Sequence, residues 1–208
     1  MSKSKMIRDR YSKQGGHAAT ISKDQLNWRQ PAFWRNIFLY YWAFAFAGHI
    51  LEVLWQKITD NPYFDPNNIP TFAPLAVPYG LGAVAVILAV WPLYKRFKKM
   101  NVLLVFVLAA VVTTAVEYLC ALVIIAFMGH NPFWDYSNMP FNFQGMICLR
   151  NAVLFGIVAT IFLQVLFPRI ERRVSKISDR LLNDIFLLLA TTYAIDVLLV
   201  FAMWLYGN

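Results

Sequence analysis

Apolar residues run along this chain in long blocks separated by short polar punctuation. The blocks lie at about 36–56, 75–94, 102–128, 147–167 and 185–206. Each has about the 20 residues that a helix needs to cross a hydrocarbon core about 30 Å thick. An amphipathic helix of a soluble domain would carry a polar stripe, and these blocks carry almost none. The pattern predicts an all-α, polytopic integral membrane helical bundle with about five transmembrane helices. The third block, at 1.5 Å per residue, is about 40 Å long and must tilt or protrude.

The punctuation sets the organisation. Residues 1–33 form a basic tail with Gly15-Gly16 and no periodic apolar face. It is too long and polar to resemble the start of a cleavable signal, so the first block is expected to remain as an anchor. Trp28, Phe33 and Trp34 close the tail as an interfacial aromatic anchor. Residues 34–208 form a single transmembrane domain. Its first loop is rich in turn signals (Asn61-Pro62, Asp65-Pro66, Pro70) and its second, 129–146, is aromatic and proline-bearing. The spacing of Ile170, Val174, Ile177 and Leu181 predicts a short amphipathic helix between the last two blocks.

Charge fixes the expected orientation. Only 14% of the 208 residues are charged, against about a quarter in soluble domains, and mean hydropathy is +0.50. Of 19 Lys and Arg, all but Lys57 and Arg150 fall in the tail and start of the first block, in 95–99, or in 169–180. The positive-inside rule then places the N-terminus in the cytoplasm and the C-terminus outside, as an odd number of crossings also requires. The net charge of +8 thus reads as membrane orientation, with the lipid bilayer as partner and no nucleic acid. Cys120 and Cys148 stand at no metal-ligand spacing and read as small buried side chains. No cofactor or metal site is expected.

Three acids interrupt the apolar blocks: Glu52, Glu117 and Asp196. Such groups usually face a bundle interior or a water-filled cavity and mark function, the alternative being hydrogen-bonded glue between helices. His49 and Gln56 share the Glu52 face, which Ala45 and Gly48 border. Arg150, the basic residue at the outer start of the fourth block, is expected to pair with Glu52 or Glu117 in a bidentate contact. Ala110, Thr113, Thr114, Cys120 and Ala121 make the Glu117 face small, and Ala152, Gly156 and Thr160 form a small-residue ridge. A weak internal repeat pairs Glu52 and Pro78-Tyr79-Gly80 with Glu117 and Pro140-Phe141-Asn142. The second loop, with Trp134, Asp135, Tyr136 and Asn142, is expected to be partly buried or re-entrant. Together Glu52, His49, Glu117, Arg150, Tyr79, Trp134, Asp135, Tyr136 and Asn142 outline an outward-facing polar and aromatic pocket for a small solute.

Several of these residues carry a family likeness. Gly48 and Glu52, the Val77-Pro78-Tyr79-Gly80-Leu81-Gly82 segment, Glu117-Tyr118, and above all Trp134-Asp135-Tyr136-Ser137 followed by Pro140, Asn142 and Gly145 resemble the putative ABC-transporter type IV membrane proteins (CmpB-like). The resemblance covers about residues 36–168 and leaves the basic tail unmatched. It implies a multi-pass protein of the bacterial inner membrane, a permease-like part of a transporter, and it supplies no catalytic residues. The chain has no Gly-rich phosphate-binding string ending in Lys-Ser or Lys-Thr, so ATP hydrolysis would fall to a separate ATP-binding subunit docking on 95–99 and 169–184. The reading is therefore a non-enzymatic transporter component. The alternatives are a non-transporting scaffold or sensor and, with less in its favour, an intramembrane enzyme with His49 and Glu52 as base and partner, to which His130 of the second loop is a conceivable addition.

Overall fold

The computed structural model describes residues 29–59, 75–97 and 100–206. Residues 1–28 of the basic tail, 60–74 of the first loop, 98–99 and 207–208 lie outside the described residues, as do the side chains of Gln56, Thr59 and Trp204.

Five helices are long and apolar enough to cross a membrane, and the chain is a multi-pass membrane protein. Helix α1 (Pro31–Thr59) begins with proline at the first helical position, where its missing N–H costs no bond. It starts earlier than the apolar block because Phe33, Arg35, Asn36 and Ile37 are buried there. Helix α2 (Val77–Ala89) and α3 (Trp91–Arg96) form one span. Pro92 lacks the N–H that would continue the ladder between them. Helix α4 (Val102–Met128) runs as the apolar block predicts. Its ends are chemically marked: Asn101 Oδ1 accepts the Leu104 N–H at 2.7 Å, and Gly129 ends it at φ 75°.

A two-stranded hairpin follows, β1 (Asn142–Phe143) against β2 (Ile147–Cys148). The fourth span is then a chain of helix α5 (Leu149–Ile161), a π-helical turn (Phe162–Leu166) and helix α6 (Phe167–Val174). It passes Pro168, where the apolar block suggested an end. The widened π turn accommodates the interruption, and the Arg169 guanidinium caps the Val165 carbonyl at 2.5 Å. The short amphipathic helix expected between the last two spans does not form. That segment is divided: its first part completes α6, and its last part opens helix α7 (Asp179–Tyr206). Ser178 Oγ accepts the Leu181 N–H at 3.3 Å and starts α7 six residues before its apolar block.

The most extensive packing joins α4 to α5, followed by α1 with α2 and α2 with α4. Phe33, Tyr40, Val86, Trp91, Phe162 and Phe167 belong to the core these helices share. The small-residue ridge of α5 meets α4, since a Cβ on Gly156 would lie 2.8 Å from the Ala110 Cβ. Helix α7 sits at the margin, chiefly against α1, and only 6% of its span is buried within the protein. Leu187, Leu198 and Phe201 point outward, a distribution suited to lipid and costly in water. One ion pair ties α7 on. Buried Arg35 donates to Asp179 Oδ1 at 2.9 Å and to Asn183 Oδ1 at 2.7 Å. It thereby fastens the starts of α1 and α7 together, as two spans of the same direction allow.

Candidate functional site

Gly48 decides how closely α2 approaches α1. A Cβ there would collide with Tyr79 Cβ and Cγ, so glycine lets the Tyr79 side chain lie flat on the helix. A main-chain bond from Ala76 N to the Ala45 carbonyl, 2.9 Å, fixes the same approach. From there the Tyr79 hydroxyl donates to Glu52 Oε1, one turn beyond Gly48, with the Phe155 ring edge-on at 6.0 Å.

Glu117, only 5% exposed, receives a phenol in the same way. The Tyr136 hydroxyl of the second loop donates to its Oε1 at 3.0 Å. The Asn151 side chain of α5 stands beside both groups. Tyr79 lies within electrostatic range of Tyr136 and Glu117 as well as Glu52, so the two acid–phenol pairs form one cluster between α1, α2, α4, α5 and the loop. Burial, and then the Glu117 carboxylate, hold the Tyr136 phenol well above its ordinary value. It is therefore a donor at any physiological pH.

The rest of the loop is engaged with itself. Asp135 Oδ1 accepts from the Ser137 hydroxyl at 2.6 Å and the Ser137 N–H at 2.8 Å. Those bonds hold its carboxyl below the usual carboxylate range. Asn142 Nδ2 donates to the Ser137 and Met139 carbonyls, its Oδ1 accepts from Gly145 N, and Trp134 Nε1 donates to the Met146 carbonyl at 2.9 Å. Gly145 has φ 68°, and a Cβ would meet Ser137 Oγ at 2.5 Å. The Trp-Asp-Tyr-Ser string with its later Asn and Gly is thus the wiring of a closed loop that carries the Tyr136 hydroxyl to Glu117.

The expected pairing of Arg150 with a glutamate is not formed. Arg150 is exposed, and its Nε reaches Asn151 Oδ1 at 3.4 Å. As the second residue of α5, it points off the cluster while Asn151, next in sequence, points in. Sequence reasoning missed Asn151; a lone amide beside an arginine gave it no signal. His49 is half-buried on α1, and Nδ1 of exposed His130 bonds the Met128 carbonyl. The described residues contain no group of three or more His, Cys, Asp or Glu able to hold a metal, so His49, His130 and Glu52 are not assembled into one. Asp196 is buried and engaged in α7.

A family model described as putative ABC-transporter type IV matches residues 39–201. No curated protein and no solved structure matches the chain.

Proposed function

The chain belongs to the putative ABC-transporter type IV family, and from that premise we propose that it is a permease-like component that binds a small solute between its helices. The observation that carries this reading is the cluster of two acid–phenol pairs, Tyr79 on Glu52 and Tyr136 on Glu117. Neither carboxylate has a Lys or Arg in salt-bridge contact among the described residues. Acids set within apolar spans at such a cost are functional by default, and a site rich in carboxylate and phenol favours a cationic or amine-bearing solute. Glu52 is the more accessible acid and is the solute-facing group, with Tyr79 as its orienting partner.

The protein acts in a bacterial inner membrane, with the N-terminus in the cytoplasm and the acid–phenol cluster toward the outer side. Energy comes from a separate ATP-binding subunit. The basic cytoplasmic ends of α3 and α6, with Lys95, Arg96, Arg169, Arg172 and Arg173, supply its docking face. Thermal unfolding of the detergent-purified protein with a panel of primary and quaternary amines tests the reading. A concentration-dependent rise in Tm that Glu52→Gln removes supports it, and no response to any amine at millimolar concentration counts against it.

One observation favours a second reading, a non-transporting scaffold. Trp134, Asp135 and Asn142 spend their hydrogen bonds inside the loop, as structural residues do. On that reading, substitution of either glutamate changes stability and no amine response exists.

A further inference from the structure

The second loop is wired as one body and tied lightly to the bundle. Inside it, Tyr136 N donates to the Gly145 carbonyl at 2.8 Å, Trp134 Nε1 donates to the Met146 carbonyl at 2.9 Å, and Asn142 Oδ1 accepts from Gly145 N at 3.1 Å. Two side-chain bonds join it to neighbouring residues of α4. The Tyr136 hydroxyl donates to Glu117 at 3.0 Å, and the Tyr118 hydroxyl donates to Gln144 Oε1 at 2.8 Å, with the Phe143 ring 5.7 Å from the Tyr118 ring. Gln144 is the unusual member. It stands with Gly145 at positive φ, 56° and 68°, in the turn between β1 and β2 that Met146 N closes on the Phe143 carbonyl at 3.1 Å. Tight hairpin turns with two such residues favour Asn, Asp or Gly first, and a bulkier side chain at positive φ is strained. A strained residue where a better turn former exists points to a role for its side chain, and the longer amide is what reaches Tyr118.

We propose that the second loop is a rigid lid beside the Tyr79–Glu52 solute site, latched to α4 by the Tyr136–Glu117 and Gln144–Tyr118 bonds. The inference rests on the solute reading and deepens it by dividing the labour of the two acids: Glu52 meets the solute, and Glu117 holds the lid. Glu117, 5% exposed, is too enclosed to meet a solute while the latch is closed, whereas Glu52 is half-buried. Tyr136 lies within electrostatic range of Tyr79, so lifting it clears space beside the solute-facing pair. Asn151 of α5 is a second hydrogen-bond partner of Glu117, so the acid is not left bare when Tyr136 departs. Gly129 supplies a pivot at one end of the loop: it leaves α4 at φ 75°, and a Cβ there would meet nothing within 4 Å. At the other end β2 packs on α4 and carries Cys148, 3% exposed and within electrostatic range of Tyr136. That thiol is buried where the closed loop meets the bundle.

The test is the rate at which a water-soluble, anionic maleimide labels Cys148 in the purified protein, read by peptide mass spectrometry so that Cys120 is scored separately. Opening the latch should expose the Cys148 thiol. Tyr136→Phe should speed its labelling about 10- to 140-fold and Tyr118→Phe about 2- to 12-fold, the changes that loss of a charged and of a neutral hydrogen bond correspond to. Gln144→Asn separates latch from turn. Asparagine suits the turn better, yet its amide falls about 1.5 Å short of Tyr118. It should speed labelling as Tyr118→Phe does, with no further gain when the two are combined. In all three variants the amides of residue 136 and Gly145 should keep their protection from hydrogen exchange, because the lid lifts whole. If Tyr136→Phe fails to fold, Gln144→Asn and Tyr118→Phe carry the test. Labelling unchanged by the latch variants, or faster labelling only where the loop amides also lose protection, overturns the proposal. Latch variants that speed labelling while no amine raises Tm sink the solute reading alone. An amine response that Glu52→Gln removes, with labelling indifferent to the latch, sinks the lid alone.

Discussion

Gly48→Ala adds one methyl group to a membrane helix, where alanine would ordinarily be harmless. Here the new Cβ would overlap Tyr79 Cβ and Cγ, and no rotamer change removes the first overlap, because the backbone fixes the Cβ position. Helix α2 must move, against the Ala76–Ala45 main-chain bond of 2.9 Å, and carry the Tyr79 hydroxyl away from Glu52. Overpacking of this kind costs about 1–3 kcal/mol. Losing a hydrogen bond to a charged group adds about 1.5–3 kcal/mol. The sum, about 2.5–6 kcal/mol, corresponds to a fall in Tm of roughly 5–24 °C for a chain of this size. Tyr79→Phe removes only the hydroxyl and should cost about 1–3 kcal/mol. If the methyl acts by displacing Tyr79, the double variant should be less unstable than the two single effects added together. Melting curves of the four proteins in one detergent make the measurement. A Gly48→Ala protein within about 2 °C of the parent, or strict additivity in the cycle, would refute the reasoning.

Gly145→Ala should open the second loop at a cost of about 1–3 kcal/mol, since φ 68° disfavours a side chain and the Cβ meets Ser137 Oγ; faster amide exchange at Ser137 and Tyr136 is the readout. The same loop should loosen in acid. The folded Asp135 pKa is depressed, so its contribution is present above the unfolded value near about 4 and is lost as pH falls through the lower folded value. Protection of the Ser137 amide that stayed constant down to pH about 2 would contradict this. Arg35→Ala should detach the start of α7 at a cost of about 1–3 kcal/mol, discounted because Asp179 is half exposed. Arg35→Lys should restore little, because an ammonium cannot reproduce the fork to Asp179, Asn183 and Asn36, and proteolysis between α6 and α7 reports the loosening. Arg150→Ala should shift Tm by less than the equivalent of about 0.5 kcal/mol, as an exposed side chain with one long bond to Asn151 warrants; a large loss would reinstate the glutamate pairing.

The sequence disclosed most where one strong physical pressure acts alone. Lipid demands long apolar runs, so five spans were legible, and α4 was readable to the residue because Asn101 and Gly129 mark its ends. The ends of α5–α6 and α7 were misjudged because local chemistry overrode composition. A π turn carried the helix past Pro168, and Ser178 started a helix among charged residues. In the candidate site, the glutamates, Gly48, Tyr79 and Tyr136 were all visible as costly or unusual residues, and the structure brings them together. The partner of Arg150 was not visible, because the 100° between neighbouring helical residues decides whether Arg150 or Asn151 points inward.

The π turn at Phe162–Leu166 has one further consequence, for the phase of the fourth span. Such a turn holds one residue more than regular helix does, so everything after it is rotated by about 100° relative to an uninterrupted rod. Phe167 and Glu171, both buried, owe their inward bearing to that surplus residue. Excising a single residue there would heal the helix by every local measure. It would also swing an acid out toward the acyl chains and leave a hole where Phe167 meets Tyr40 and Trp91.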